Sequence, residues 1–328
     1  MLRVFRSALL AAATLGGGLA QADVQVLTSI KPLQLIAAAV QDGAGTPDVL
    51  LPPGASAHHY ALRPSDLRRL EGADLFYWVG PDMEGFLADV LRARQVEALP
   101  LQSLPGLTLR HFGKTAATGH AQADTPEGHG HDEHEHEHEH EPSEHAGDHD
   151  HAHRTGSLDA HLWLHTGNAR VIAQRMAEDL AAHDPTNATR YRANLQRFER
   201  SLEALDRRLA ERLGPLKAKP YFVFHDAYGY LEAAYGLEHR GVFNLAGEVQ
   251  PGARYVADLR ERLQATGPSC VFSEPPLQPR LLQTLTADLP VRAAELDPLG
   301  SAVKPGADGY AQLMEQIAGN LARCLESL

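Results

Sequence analysis

The stretch TRYRANLQRFERSLEALDRRLAERLGP, Thr189 to Pro215, decides the fold. Its apolar residues Tyr191, Leu195, Phe198, Leu202, Leu205, Leu209 and Leu213 recur at spacings of three and four. They therefore share one face of an α-helix, with Arg and Glu on the other. Such a helix has about 26 residues and a length of about 40 Å. Gly214 and Pro215 end it. A coiled-coil dimer would need the stripe repeated over more heptads, so the spacing predicts a helix packed along two lobes of one chain, and a monomer.

Outward from this helix, both flanks alternate strand and helix. Upstream, Val24 to Ser29 reads as a strand and Pro32 to Gln41 as a helix. Asp48 to Leu51 is a short strand broken by Pro52, Pro53 and Gly54. Arg63-Pro64-Ser65-Asp66 starts a helix that runs to Ala73, Leu75 to Gly80 is a strand, and Met83 to Arg94 is helical. Asn168 to Ala182 is another helix, and Pro185 permits a restart. Downstream, strands are expected at Tyr221 to Phe224, Gly241 to Asn244, Ser269 to Ser273 and Val291 to Leu296. Helices fall between them at His225 to Tyr235, Tyr255 to Ala265 and Pro279 to Ala287, and a last one runs from Tyr310 to about Leu325. Strands alternating with helices make parallel sheets covered on both faces. The expected fold class is α/β: two (β/α) lobes with mostly parallel sheets joined by one long rigid helix. Residues 23–185 form the first lobe, 186–213 the linking helix and 214–328 the second lobe. A ligand in such a fold lies in the interlobe cleft, beyond the carboxyl ends of the strands.

Two segments stand apart. Residues 1–22 have a basic start (Arg3, Arg6), a short apolar stretch from Ala8 to Leu15 and a small-x-small end, Ala20-Gln21-Ala22. This reads as a signal peptide cleaved after Ala22, with no cysteine nearby for a lipid anchor and no later run long enough to span a bilayer. The mature protein is expected in the periplasm. Residues 113–157 hold eleven histidines and almost no apolar side chains, which reads as a disordered loop. The net charge of −12 also resides there: of 42 acidic residues, eleven lie in 115–153, leaving 31 against 30 basic ones elsewhere. The rest of the chain is nearly neutral, and nothing basic invites nucleic acid. The two cysteines, Cys270 and Cys324, read first as a disulfide in an oxidising compartment. A metal-ligating thiol is the other reading, though neither sits in a CxxC or beside a histidine.

Seven histidines lie outside residues 111–153. Three stand where loops are expected after strands: His58 (with His59 beside it), His161 and His225. Imidazole nitrogens bind Zn²⁺ well, and three protein ligands with an open or carboxylate fourth position form a familiar zinc arrangement. Asp297, just past the last strand, is a candidate fourth ligand. Its alternative role is a turn-forming Asp before Pro298.

Five stretches occur in order: LPPGASAHHYALRPSDLRRL (Leu51 to Leu70), DAHLWL (Asp159 to Leu164), FHDAYGYLE (Phe224 to Glu232), EVQPGA (Glu248 to Ala253) and LDPLG (Leu296 to Gly300). Together they resemble the ZnuA-type zinc-binding proteins, the solute receptors of metal-importing ABC transporters, from about Val24 to the C-terminus. The resemblance implies His58, His161 and His225 as ligands, and Asp297 at the position that supplies a carboxylate in some relatives, chiefly manganese binders. The manganese branch is expected to carry Glu where His225 stands, and a third nitrogen favours Zn²⁺ over the harder Mn²⁺. Many zinc relatives have Glu where this chain has Ala57. His59 and His165 also stand where other residues are expected, so either is a possible alternate ligand. The resemblance further implies the Cys270–Cys324 disulfide and a histidine-rich loop in which His129, His131, His134, His136, His138 and His140 would collect zinc. It implies as partners an inner-membrane ABC permease and its cytoplasmic ATPase.

The expected function is therefore capture of Zn²⁺ for import, by a binding protein rather than an enzyme. An exported zinc hydrolase would need a general base near the metal, and no HExxH or comparable motif is present. A manganese receptor and a metal buffer in which only the loop matters are the other readings.

Overall fold

The computed structural model describes residues 23–94, 98–113, 155–244, 253–275, 282–283 and 286–328. Residues 1–22 and the loop histidines His129 to His140 lie outside the described residues, as do most of Glu248 to Ala253 and Pro279 to Ala287.

Strand β1 (Val26–Thr28) is buried throughout and pairs in parallel with β2 (Asp48–Val49) and β3 (Leu75–Tyr77), giving the order β2-β1-β3. Helix α1 (Lys31–Val40) follows β1, with Pro32 in its first turn, where a missing N–H costs nothing. Every residue from Pro32 to Val40 is buried, the apolar ones as their sequence demands and Gln34 with its amide donating to the Pro47 carbonyl at 2.8 Å. Helix α2 (Pro64–Glu71) precedes β3, and α3 (Gly85–Arg94) follows it. The α3 start lies two residues beyond the expected Met83. The reason is Glu84: its carboxylate is fully buried and accepts from the backbone N–H groups of Val79 and Gly80, closing a turn ahead of the helix.

Helices α4 (Thr166–His183) and α5 (Ala188–Leu213) pack together, and both pack on α1. The α5 stripe is buried at Tyr191, Phe198, Leu202, Leu205, Leu209 and Leu213, whereas Leu195 is only partly buried. Asn194 takes the buried place beside it. Its amide donates to the carbonyls of Val40 (2.8 Å) and Asp42 (2.9 Å), groups that the end of α1 leaves open.

The second sheet contains β4 (Tyr221–His225), β5 (Val242–Asn244), β6 (Ser269–Ser273) and β7 (Val291–Glu295), all parallel in the order β5-β4-β6-β7. Helices α6 (Gly229–Tyr235), α7 (Ala253–Thr266) and α8 (Gly309–Glu326) accompany it. Alternate residues face opposite ways along these strands. Tyr221, Val223, Cys270 and Phe272 join the main core, while Phe222, Phe243 and Val271 join a smaller one with Leu259 and Leu263. The main core extends from Val24 to Leu325 and takes in residues of both sheets. Helix α8 packs on α1 and α5, and Cys324 near its end forms a disulfide with Cys270 of β6, with Cα atoms 6.1 Å apart.

Two local expectations change. His225 is the last residue of β4, in register with Asn244 of β5, and α6 begins only at Gly229. Among the described residues no strand leads directly into His161. The segment before it makes an isolated bridge, His111 to Leu158, and after His161 comes a 3₁₀ turn, Leu162–Leu164, whose three side chains are all buried.

Candidate metal centre

Each of the three histidines arrives from a different element. His58 lies in the long loop between β2 and α2. Ser56 Oγ accepts from the backbone N–H of both His58 and His59 at 3.2 Å, tightening the loop. Tyr60 anchors its far side by donating to Asp66 Oδ2 in α2 (3.0 Å). His161 precedes the 3₁₀ turn and is buried, its ring 5.4 Å from that of Trp163. Trp163 in turn donates from Nε1 to the Pro298 carbonyl (2.9 Å) and accepts at its own carbonyl from Tyr310 of α8 (2.7 Å). His225 ends β4.

The side chains of His58, His161 and His225 each offer a ring nitrogen, and these three atoms lie within 4.8 Å of one another. The ring centroids stand 5.1 to 6.1 Å apart. They line a cavity together with Trp163, Glu274 and Asp297. His161 and His225 face each other through their Nε2 atoms at 3.2 Å. Their Nδ1 atoms point outward to carboxylates, His161 to Asp159 Oδ1 at 2.9 Å and His225 to Glu274 Oε2 at 2.8 Å. Glu274 also accepts from the Tyr228 hydroxyl at 2.9 Å.

These contacts fix the chemistry. An ionised carboxylate only accepts, so beside ionised Glu274 and Asp159 each Nδ1 carries the hydrogen, and in the neutral rings each Nε2 presents a lone pair. Two lone pairs at 3.2 Å repel unless a shared proton or a cation lies between them. Burial holds His161 well below the ordinary histidine pKa, and the positive charge of His225 adds to the effect. Burial also opposes charge on His225, but the charge and hydrogen bond of Glu274, helped by Asp226 and Asp159, outweigh it and raise that ring. Burial lifts Asp159 to about 7, against the His161 backbone hydrogen bond and the Arg110 charge.

Asp297 lines the same cavity, but both its oxygens are turned to its own loop. Oδ1 accepts from the N–H groups of Leu299 (3.0 Å) and Gly300 (2.8 Å), and Oδ2 from the N–H (2.7 Å) and hydroxyl (2.6 Å) of Ser301. His59 is exposed and lies outside the cluster. His165 caps α4, its Nδ1 accepting from Asn168 N at 3.3 Å. Sequence reasoning quoted Asp159, Trp163 and Tyr228 within motifs without giving them a role and passed over Glu274. The available signal for Glu274 was its place directly after β6, at the carboxyl edge where ligands collect.

The family model described as ZnuA, zinc-uptake complex component A periplasmic, matches residues 26–324. The chain belongs to the ZnuA family. It is 37% identical over 308 residues to the high-affinity zinc uptake system protein ZnuA of Yersinia pestis, covering 93% of this chain and 92% of that protein. With the protein of the same name from Brucella abortus it shares 38% over 315 residues, 94% of each. A crystal structure of ZnuA superimposes with a TM-score of 0.71 at 20% identity, covering 93% of this chain and all of that one. A Pseudomonas aeruginosa solute-binding protein solved with Mn²⁺ gives 0.70 at 18%, covering 93% of this chain and 99% of that one. At these identities both structures establish the ZnuA-like α/β fold alone.

Proposed function

We propose that this protein captures Zn²⁺ in the periplasm, bound by the Nε2 atoms of His161 and His225 and a ring nitrogen of His58. A fourth position is left open toward the cavity. The facing Nε2 atoms of His161 and His225 carry this reading: their lone pairs point at one spot, and His58 supplies a third donor there. Three nitrogens suit zinc better than manganese. Asp297 is read as the organiser of the loop beside the ion, not as a ligand, because both its oxygens are engaged. Residues 23–185 and 214–328 form the two walls of the cleft, and residues 1–22 are the export signal removed after Ala22. The loaded protein, a monomer, delivers the ion to an ABC permease whose ATPase is cytoplasmic. The histidines from His129 to His140 collect zinc at lower affinity.

Calorimetric zinc titration of the wild-type chain tests the site. One tightest equivalent is expected, and His161→Ala and His225→Ala are each expected to abolish it while the weaker loop equivalents persist. Unchanged tight stoichiometry in both variants would overturn the assignment.

A further inference from the structure

Glu274 reaches the metal centre from the strand beside that of His225. β4 and β6 run parallel with Val223 opposite Phe272, so His225 and Glu274, each two residues further on, arrive side by side at the carboxyl edge of the sheet. Both oxygens of Glu274 are committed. Oε2 accepts from His225 Nδ1 at 2.8 Å, and Oε1 accepts from Tyr228 Oη at 2.9 Å. Tyr228 is 1% exposed, so its hydroxyl holds the carboxylate from within the protein. Neither oxygen belongs to the group of ring nitrogens that could share an ion.

A neutral imidazole exchanges between two tautomers, and the one with hydrogen on Nε2 cannot donate a lone pair from that atom. We propose that Glu274 is a positioning residue for zinc capture: braced by Tyr228, it fixes His225 in the Nδ1–H tautomer and aims its Nε2 at His161 and His58. This rests on His225 being a zinc ligand, as proposed above. Two neighbouring strands hold the pair, so the ring is oriented before the ion arrives. Removing such an outer partner of a ligating histidine typically costs 10–100-fold in metal affinity.

Glu274→Gln and Glu274→Ala test this in the full chain. Long-range ¹H–¹⁵N spectra of the metal-free protein report the ring tautomers, with His225 assigned by its absence in His225→Gln. Competition with a zinc-chelating indicator reports the tightest site. At a pH high enough to leave the ring neutral, His225 is expected as a single Nδ1–H form in the wild type and as a mixture in the variants, with His161 unmoved and the tightest site weakened roughly 10–100-fold. A merely structural role would leave the His225 tautomer as it is in any variant that folds. Where the Glu274 variants do not fold, Tyr228→Phe removes only the bracing hydroxyl and is expected to shift the His225 tautomer in the same direction. An unchanged tautomer together with zinc affinity within about threefold of wild type, in the folded variants, overturns the proposal. A wild-type chain without a single tightest site would instead sink the proposed function, and the tautomer result would show separately whether Glu274 orients the ring.

Discussion

Reduction of the Cys270–Cys324 disulfide should separate stability from zinc binding. The bond closes 54 residues of chain between β6 and the end of α8. Loop-closure entropy for that length is about 14 cal/mol/K, or about 4 kcal/mol at 25 °C. For a chain of this size about 2 °C of melting temperature accompanies each kcal/mol, so the reduced protein should melt about 8 °C lower. The metal centre should hardly notice. Cys270 is the second residue of β6, four residues or about 13 Å from Glu274 just past its other end. Cys324 lies fourteen residues along α8 from Tyr310, about 21 Å from the residue that braces Trp163. Sites so far apart, with no shared partner, behave additively. The assay is a thermal melt by circular dichroism on protein unfolded, reduced and refolded under reductant, with zinc competition on the same sample. A tenfold loss of zinc affinity, or a melting shift under about 3 °C, would refute this reasoning.

Two further outcomes follow from the site itself. His225 is raised and His161 lowered, so of the two it is His225 that takes up a proton as pH falls, and zinc must displace that proton. Affinity should fall as pH drops from 7.5 to 5.5, because a ligating ring must be neutral. The release per zinc at pH 5.5, in the chain lacking residues 115–153, should stay at or below about two; three rings titrating near 6.5 would give nearly three. Calorimetry in buffers of different ionisation enthalpy measures it, and a value near three would contradict the paired arrangement. Asp297→Asn should lower stability by about 1–3 kcal/mol, because an amide cannot replace both accepting oxygens, while shifting zinc affinity less than about threefold. A hundredfold loss of affinity with an unchanged melting curve would make Asp297 a ligand.

Much of the fold was legible because its elements are periodic. The α5 stripe declared its own length and faces, and the strands read as short β-rich runs between turn residues. The strand expected before His161 failed because only Leu158, Asp159 and Ala160 separate it from the preceding turn, a run too short to do more than form the single His111–Leu158 bridge. Within the site, His58 and His59 were indistinguishable in sequence: adjacent residues diverge, and which one turns inward depends on how Ser56 closes the loop. Both roles of Asp297 were visible from Pro298, but only the positions of the Leu299, Gly300 and Ser301 N–H groups show its oxygens engaged. For Glu274 the local signal was only its place just past β6; its meaning comes from a strand 49 residues earlier, because the pairing of β4 with β6 brings it to His225.

Asn194 has a consequence for anyone altering the long helix. The apolar stripe invites a leucine at that buried place, and a calculation by hydrophobic area alone would reward the exchange. Yet the amide is the donor for the open carbonyls of Val40 and Asp42. Asn194→Leu would silence it, and each buried acceptor left unmet costs about 1–3 kcal/mol, as much as a leucine gains by burial. The single polar residue thus ties the exit of α1 to α5, and the best residue for the stripe is the one that breaks its pattern.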